Sequence, residues 1–139
     1  MAIFSCVTDS YREQMIQGIH TLTDTYMVSL YTSLATLGLS TTGYTTVDEC
    51  TGGNYPAGGI VMPTAVAVLD VNTAILTFSN ATFINLVQSD VRGCLIYNAT
   101  KSNDSVAVFD FGSSISLFNS DFTLVVPAAT ATTGLIRFA

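Results

Sequence analysis

"GCLIYNATKSNDSVAVFDF", residues 93–111, contains two apolar runs joined by the polar segment "KSND". Both runs are rich in β-branched and aromatic residues, which favour strands. In the second run Val106 and Val108 alternate with Ala107 and Phe109, the period expected of a strand with one face more apolar than the other. The stretch predicts two strands joined by a turn.

Runs of the same kind continue on both sides of this stretch. They are "TYMVSLYTS", "GIVM", "AVAVLD", "TAILTFS", "FINLV", "SISLF", "DFTLVV" and "GLIRF". Turn signals such as "GSS", "NSD" and "PAATATTG" separate the later runs every ~8–12 residues, which is the rhythm of a β-sandwich or barrel. The sequence therefore predicts one mainly β domain.

Only one segment has helical character, at about residues 10–21. Ser10 and Glu13 have the spacing of a capping box, and Asp9 adds negative charge at the N-terminal end. An apolar stripe at helical spacing follows, formed by Tyr11, Met15, Ile19 and Leu22. We expect residues 1–9 to be an arm ahead of this helix, and residues 10–139 to be a single helix-plus-β-sandwich domain.

Charge is scarce. Of the 139 residues, 49% are apolar and 10% are charged, against about a quarter charged in typical soluble proteins. We therefore expect other chains to cover part of the surface. The net charge is −6, and the four basic residues are scattered. Nucleic acid and anionic membrane need clustered cations, so neither is an expected partner.

The apolar runs are too short to span a membrane as helices. The most apolar, "AVAVLDV", is interrupted by Asp70 and is far shorter than the ~20 residues that a spanning helix needs. The first ten residues have no basic segment and no apolar stretch of signal-peptide length. We therefore expect a soluble protein that is made in a cytoplasm.

Residues for catalysis or metal binding are few. His20 is the only histidine, and its position on the helix flank favours a solvated or capping role. The carboxylates lie mostly in turns. Cys6, Cys50 and Cys94 lie far apart, without the spacing of a disulfide framework or a zinc site, so we expect them to be small buried apolar residues. The sequence predicts no enzyme activity, no metal, no cofactor and no small-molecule substrate.

The segment "GYTTVDECTGGNYPAGG", residues 43–59, is rich in glycine. It lacks the Lys and Ser or Thr of a phosphate-binding loop. We expect an ordered chain reversal in which Gly52, Gly53, Gly58 and Gly59 have backbone roles, with at least one of them at positive φ. Tyr44 and Tyr55 are expected to hold the segment against the domain. A binding surface built on this reversal is the alternative.

The order of several motifs resembles small structural proteins of tailed bacteriophages. The motifs are "LYTSLATLGLSTTGYTTVDECTGGNYPAGG", then "GCLIYNATKSNDSVAVFDFGSSISLFNSDFTLVVP", then the terminal "GLIRFA". The resemblance as a whole covers residues 9–139 in order. Within that group the chain is most similar to podovirus-type head cement, or decoration, proteins. Cys94 stands where such proteins have a small residue such as Ala.

The resemblance implies a jelly-roll-like antiparallel β-sandwich with one N-terminal helix. It also implies a capsid protein that forms a homodimer, binds the major capsid protein on the outer surface of the virion and joins neighbouring capsomers. The arm and the helix, with Ile3, Phe4, Tyr11 and Met15, are the candidate interaction residues, because they precede the β body.

Two other functions remain open at this point. One is a carbohydrate- or receptor-binding module that uses Tyr44, Tyr55 and Tyr97 as stacking surfaces. The other is a structural role in the neck or tail of a phage rather than in its head.

Overall fold

The computed structural model describes residues 2–138. It contains one helix, α1 (Asp9–Ile16), and two antiparallel sheets. The strands are β1 (Cys6–Val7), β2 (Tyr26–Tyr31), β3 (Ile60–Val61), β4 (Val66–Asp70), β5 (Thr73–Thr77), β6 (Ala81–Asn98), β7 (Asp104–Leu124) and β8 (Ile136–Phe138). The chain is thus a mainly β, antiparallel sandwich with one short N-terminal helix, which confirms the predicted fold class.

The larger sheet has the order β1-β7-β6-β2-β3, and the smaller sheet has the order β4-β5-β8. The turn after Asn98 joins β6 to β7, as the sequence predicts. Side chains from both faces of the larger sheet are buried. Cys94 and Ile96 belong to a core cluster that also contains Leu76 and Ile136 of the smaller sheet, whereas Leu95 belongs to a second cluster on the opposite face.

Strands β6 and β7 are much longer than predicted, at 18 and 21 residues. Beyond the segment that pairs with β2, they continue as a two-stranded ribbon made of residues 81–91 and 115–124. The register between them shifts at several bulges, and both Asn85 and Asn119 have positive φ there. The predicted turns "GSS" and "NSD" are therefore wrong, because bulges absorb these polar residues while the strand continues.

The helix is shorter than predicted. It begins at Asp9, and its N-cap is Thr8, whose Oγ1 accepts a hydrogen bond from the Tyr11 amide at 3.3 Å. The predicted Ser10 cap is wrong, because the Ser10 hydroxyl contacts Ser105 instead. The helix ends at Ile16, since Gly18 follows with a φ of 72°, a common way to end a helix.

The N-terminal segment is packed on the domain. Strand β1 pairs with β7, Ile3 forms a bridge with Leu37, and the Ile3 side chain is 5% exposed. Together with residues 35–37 it covers the second core cluster. The expected separate arm is therefore wrong for residues 2–8, and Met1 lies outside the described residues. A short apolar segment beside an open sheet face gains free energy by covering it.

The segment after the helix is fixed by a buried carboxylate. The Asp24 side chain is 5% exposed and forms an ion pair with Lys101 at 3.0 Å. It also accepts hydrogen bonds from Asn98 Nδ2 and from Thr21 N and Oγ1. Burial opposes ionisation of Asp24, but these hydrogen bonds outweigh burial and hold the pKa of the carboxyl well below its usual range.

We expect Asp24→Asn to reduce the free energy of unfolding at pH 7 by about 2 kcal/mol, because it removes a charged hydrogen-bond acceptor from a buried network. The depressed pKa contributes stability above the ordinary aspartate pKa of about 4, and this contribution is lost as pH falls through the folded-state value. Denaturation of wild type and variant should therefore differ at pH 7 and converge towards pH 2.

The exposed pair of Asp9 and Arg12 provides the control. Asp9→Asn makes the same chemical change at the surface, so it should alter stability by no more than about 0.5 kcal/mol at any pH. Equal losses in the two variants at pH 7 would contradict the role assigned to Asp24.

Candidate interaction surfaces

The 43–59 segment is built around Glu49, a side chain that is 7% exposed. Tyr44 Oη donates to Glu49 Oε1 at 2.6 Å, and Tyr55 Oη donates to Oε2 at 2.6 Å. The Gly58 amide also donates to Oε2, at 2.9 Å. Three donors from different parts of the segment thus converge on one carboxylate, which fixes the path of the chain.

Neighbouring contacts attach this segment to the sheet. The Cys50 amide donates to the Leu30 carbonyl at 2.9 Å, and the Leu30 amide donates to Tyr55 Oη at 3.0 Å. On the other side, the Val87 amide of the ribbon donates to the Gly53 carbonyl at 2.8 Å. The segment therefore connects the end of β2 to the ribbon.

Burial is the main cause that raises the pKa of Tyr55, and its hydrogen bond to Glu49 raises it further. The same two causes, in the same order, raise the pKa of Tyr44. Both phenols are therefore neutral hydrogen-bond donors at physiological pH. The Glu49 carboxylate thus receives all three of these hydrogen bonds from within the 43–59 segment.

All four predicted glycines have positive φ, which confirms the expectation that at least one would. At Gly53 and Gly59 the space is closed as well. An added Cβ would lie 1.9 Å from the Val87 carbonyl oxygen at Gly53, and 1.7 Å from the Val28 carbonyl oxygen at Gly59. At Gly52 it would meet nothing within 4 Å. The glycines therefore serve conformation at all four sites and close packing at two.

The tyrosines do not form an open stacking surface. Tyr44 and Tyr97 stack on each other with ring centroids 4.9 Å apart, and both Tyr55 and Tyr97 are buried. Tyr97 Oη donates to the Gly58 carbonyl at 2.6 Å. Since sugar rings need an accessible aromatic face, the residues proposed for carbohydrate stacking are used within the domain.

His20 lies beyond the end of the helix and is partly buried. Its Nδ1 is 2.9 Å from Asn98 Nδ2, its Nε2 is 2.8 Å from Gln14 Oε1, and its ring packs on Tyr11. The amide groups favour a neutral ring with the proton on Nε2. Burial also favours the neutral ring, because it lowers the His20 pKa despite the nearby carboxylates of Asp104 and Asp24. The expected solvated or capping role is wrong, because His20 joins the helix to the β6–β7 turn.

The cysteines largely match their expected role. Cys50 and Cys94 are buried, whereas Cys6 is partly exposed, and all three are free thiols. Burial raises the pKa of both Cys50 and Cys94 to about 12, so these two thiols are protonated at neutral pH. Within residues 2–138, no three His, Cys, Asp or Glu side chains lie close enough together to hold a metal ion.

The four candidate interaction residues fall into two groups. Ile3 and Tyr11 are core residues, so they are not available to a partner. Phe4 is 66% exposed, and Met15 is 41% exposed. Of the four, only these two are accessible from solvent.

Another apolar surface lies on the ribbon, where the sequence did not predict one. We call it the ribbon face; its apolar side chains are Ile84, Val87 and Phe118. Val87 and Phe118 are paired across the two strands, and Phe118 is 81% exposed. Residues 81–91 and 115–124 contain no lysine or arginine. The alternation of Phe83 and Leu86 inward with Ile84 and Val87 outward could have revealed this face.

A second apolar surface lies between α1 and the smaller sheet. It is an open groove of about 200 Å³. Its lining includes Met15, Leu22, Ala67, Ala74 and Phe138. The groove is too small for a drug-sized ligand, since such pockets are usually ~300 Å³ or more.

Two further findings concern the chain as a whole. No helix in the described range is long and apolar enough to cross a membrane. No protein-family model matches the chain, and no curated protein or solved structure is significantly similar to it.

Proposed function

We propose that the protein is a non-enzymatic structural protein of a phage virion, a decoration protein that binds the outer face of the capsid. The observation that carries this proposal is the ribbon face: Phe118 is 81% exposed beside Val87, on a surface without basic residues. Large apolar side chains grouped on a surface favour contact with another protein. The motif order described above suggests a shell as the surface that they meet.

The hydrogen bonds of the 43–59 segment support an associative role. The Gly53 carbonyl accepts from Val87 N, and Asn54 Nδ2 donates to the Asn85 carbonyl at 2.8 Å. These contacts brace the ribbon against the domain. A braced ribbon loses little conformational entropy when it binds, so more of its contact energy remains for association.

The proposed mechanism is mechanical. Heat and internal pressure separate neighbouring capsomers, and a subunit that contacts both adds surface that must be exposed first. A homodimer strengthens this effect, because binding at one site raises the effective concentration at the second. Each contact should bury about 1,000 Å² or more in total, since smaller patches rarely persist.

The location of the protein tests the proposal. Heads and tails purified from the phage that encodes the chain should be examined by mass spectrometry and by electron microscopy. We expect the protein in heads, with density on the outer face across capsomer boundaries. Density restricted to the neck or tail would overturn the head assignment, and absence from particles would overturn the virion role.

Two exposed phenylalanines test the contact surface. Phe118→Ser should weaken binding to heads by at least about tenfold, because an aromatic anchor in an interface often contributes more than 1.4 kcal/mol. Phe4→Ser makes the same change at a residue that is 66% exposed on the N-terminal segment, and it should bind like wild type. If Phe4→Ser weakened binding and Phe118→Ser did not, the contact would lie on the N-terminal segment and not on the ribbon face.

A further inference from the structure

Strand β4 is an edge strand of the smaller sheet, with β5 on one side and no strand of the described chain on the other. Its sequence, VAVLD, contains no lysine or proline, and its register with β5 is continuous. Natural edge strands are usually protected from pairing by lysine, proline or a bulge. Strand β4 has none of these features.

The turn that follows β4 determines which main-chain groups are free. Asp70 pairs with Thr73 across a two-residue turn, Val71–Asn72. In such a hairpin the closing pair is hydrogen-bonded, and hydrogen-bonded pairs alternate with non-hydrogen-bonded pairs. The main-chain groups of Ala67 and Leu69 therefore point away from β5, towards the open edge.

The apolar face of the smaller sheet also reaches this edge. Leu76 and Ile136 are buried in the core that this sheet shares with the larger one. Ala67 pairs with Leu76 in register, so it lies on the same face, and Leu69 follows two residues later. Leu69 is 74% exposed. A face that is buried at its centre thus remains apolar where it meets solvent.

We propose that β4 pairs in antiparallel fashion with β4 of a second copy of the chain. The sequence of the strand is complementary to itself when the pairing is centred on Val68. Ala67 then lies opposite the partner's Leu69, so that a small side chain meets a large one on the apolar face. Asp70 lies opposite the partner's Val66, so no two carboxylates face each other.

This arrangement provides hydrogen-bond partners for the main-chain groups at the open edge of β4. The main-chain groups of Ala67 and Leu69 form about four hydrogen bonds with their equivalents, and the two smaller sheets become one continuous sheet. Leu69 becomes covered on a face that extends the groove beside Met15 and Leu22. The inference specifies the self-association included in the proposed function, but it concerns the isolated protein, so it stands or fails independently of any shell.

Sedimentation of the purified protein over a range of concentrations tests the pairing. Wild type should form a dimer at micromolar concentration, and Leu69→Lys should raise the dimer dissociation constant by at least about tenfold. Leu34→Lys makes the same change at a leucine that is 56% exposed and remote from β4 in sequence. It should dimerise like wild type. A monomeric wild type, or an undiminished Leu69→Lys dimer, would overturn the proposal.

A cysteine pair tests the register. In a protein that also carries Cys6→Ser, Val68→Cys should form a disulfide-linked dimer under mild oxidation, because the two central residues form a non-hydrogen-bonded pair with Cα atoms ~4.5 Å apart. Val66→Cys, two residues away, should remain unlinked. Linking of Val66→Cys alone, or of neither variant in a dimeric protein, would contradict a pairing centred on Val68.

Discussion

Gly59→Ala should leave the protein largely unfolded at 37 °C, with a loss of at least about 4 kcal/mol in the free energy of unfolding. Gly59 has a φ of 87°, where a side chain costs about 1–2 kcal/mol. The larger part arises from contact, since an added Cβ would lie 1.7 Å from the Val28 carbonyl oxygen. That oxygen belongs to β2, which is paired with β6 on one side and β3 on the other and cannot move freely.

The neighbouring glycines give a graded control within the same segment. Gly53→Ala should approach the effect of Gly59→Ala, because its Cβ would lie 1.9 Å from the Val87 carbonyl oxygen. Gly52→Ala meets open space at a φ of 66°, so it should cost only about 1 kcal/mol. Thermal denaturation of the three variants measures the order. Equal melting temperatures for Gly52→Ala and Gly59→Ala would contradict the close approach to β2.

Glu49→Ala should reduce the free energy of unfolding by about 3–5 kcal/mol. The substitution removes the acceptor for Tyr44, for Tyr55 and for the Gly58 amide, and Tyr55 is buried. Buried donors without an acceptor each cost about 1–3 kcal/mol. Glu49→Gln keeps one acceptor oxygen, so its loss should be smaller than that of Glu49→Ala.

Asp48 is the matched control for the charge. Asp48→Asn and Glu49→Gln make the same change at adjacent positions, but no hydrogen bond joins the Asp48 side chain to another described residue. We expect Asp48→Asn to change stability by no more than about 0.5 kcal/mol. Chemical denaturation of both variants decides between a specific acceptor and a general effect of charge. A larger loss in Asp48→Asn would contradict the role of Glu49.

Strand positions were predictable from the sequence because local patterns specify them. The predicted runs "AVAVLD" and "TAILTFS" contain β4 (Val66–Asp70) and β5 (Thr73–Thr77). The glycines of the 43–59 segment were predictable for the same reason, since positive φ is a local property. Neither the apolar runs nor the glycine positions predict which other parts of the chain the strands pack against.

Features that depend on distant contacts were not predictable. The N-terminal segment is ordered because Ile3 meets Leu37, which is remote in sequence. Residues 112–121 have the composition of turns, but pairing with β6 keeps them within one strand. Glu49 looked like an ordinary turn acid, because its role depends on where Tyr44 and Tyr55 place their hydroxyl groups.

The temperature at which heads release DNA tests the proposed function most directly. Heads that lack the protein should be compared with the same heads after addition of wild-type protein, at one ionic strength. A dye that binds released DNA reports the transition. We expect release at a higher temperature when the protein is bound, and an intermediate temperature with Phe118→Ser at a concentration that saturates wild type. Equal release temperatures with and without bound wild-type protein would contradict a stabilising role on the capsid.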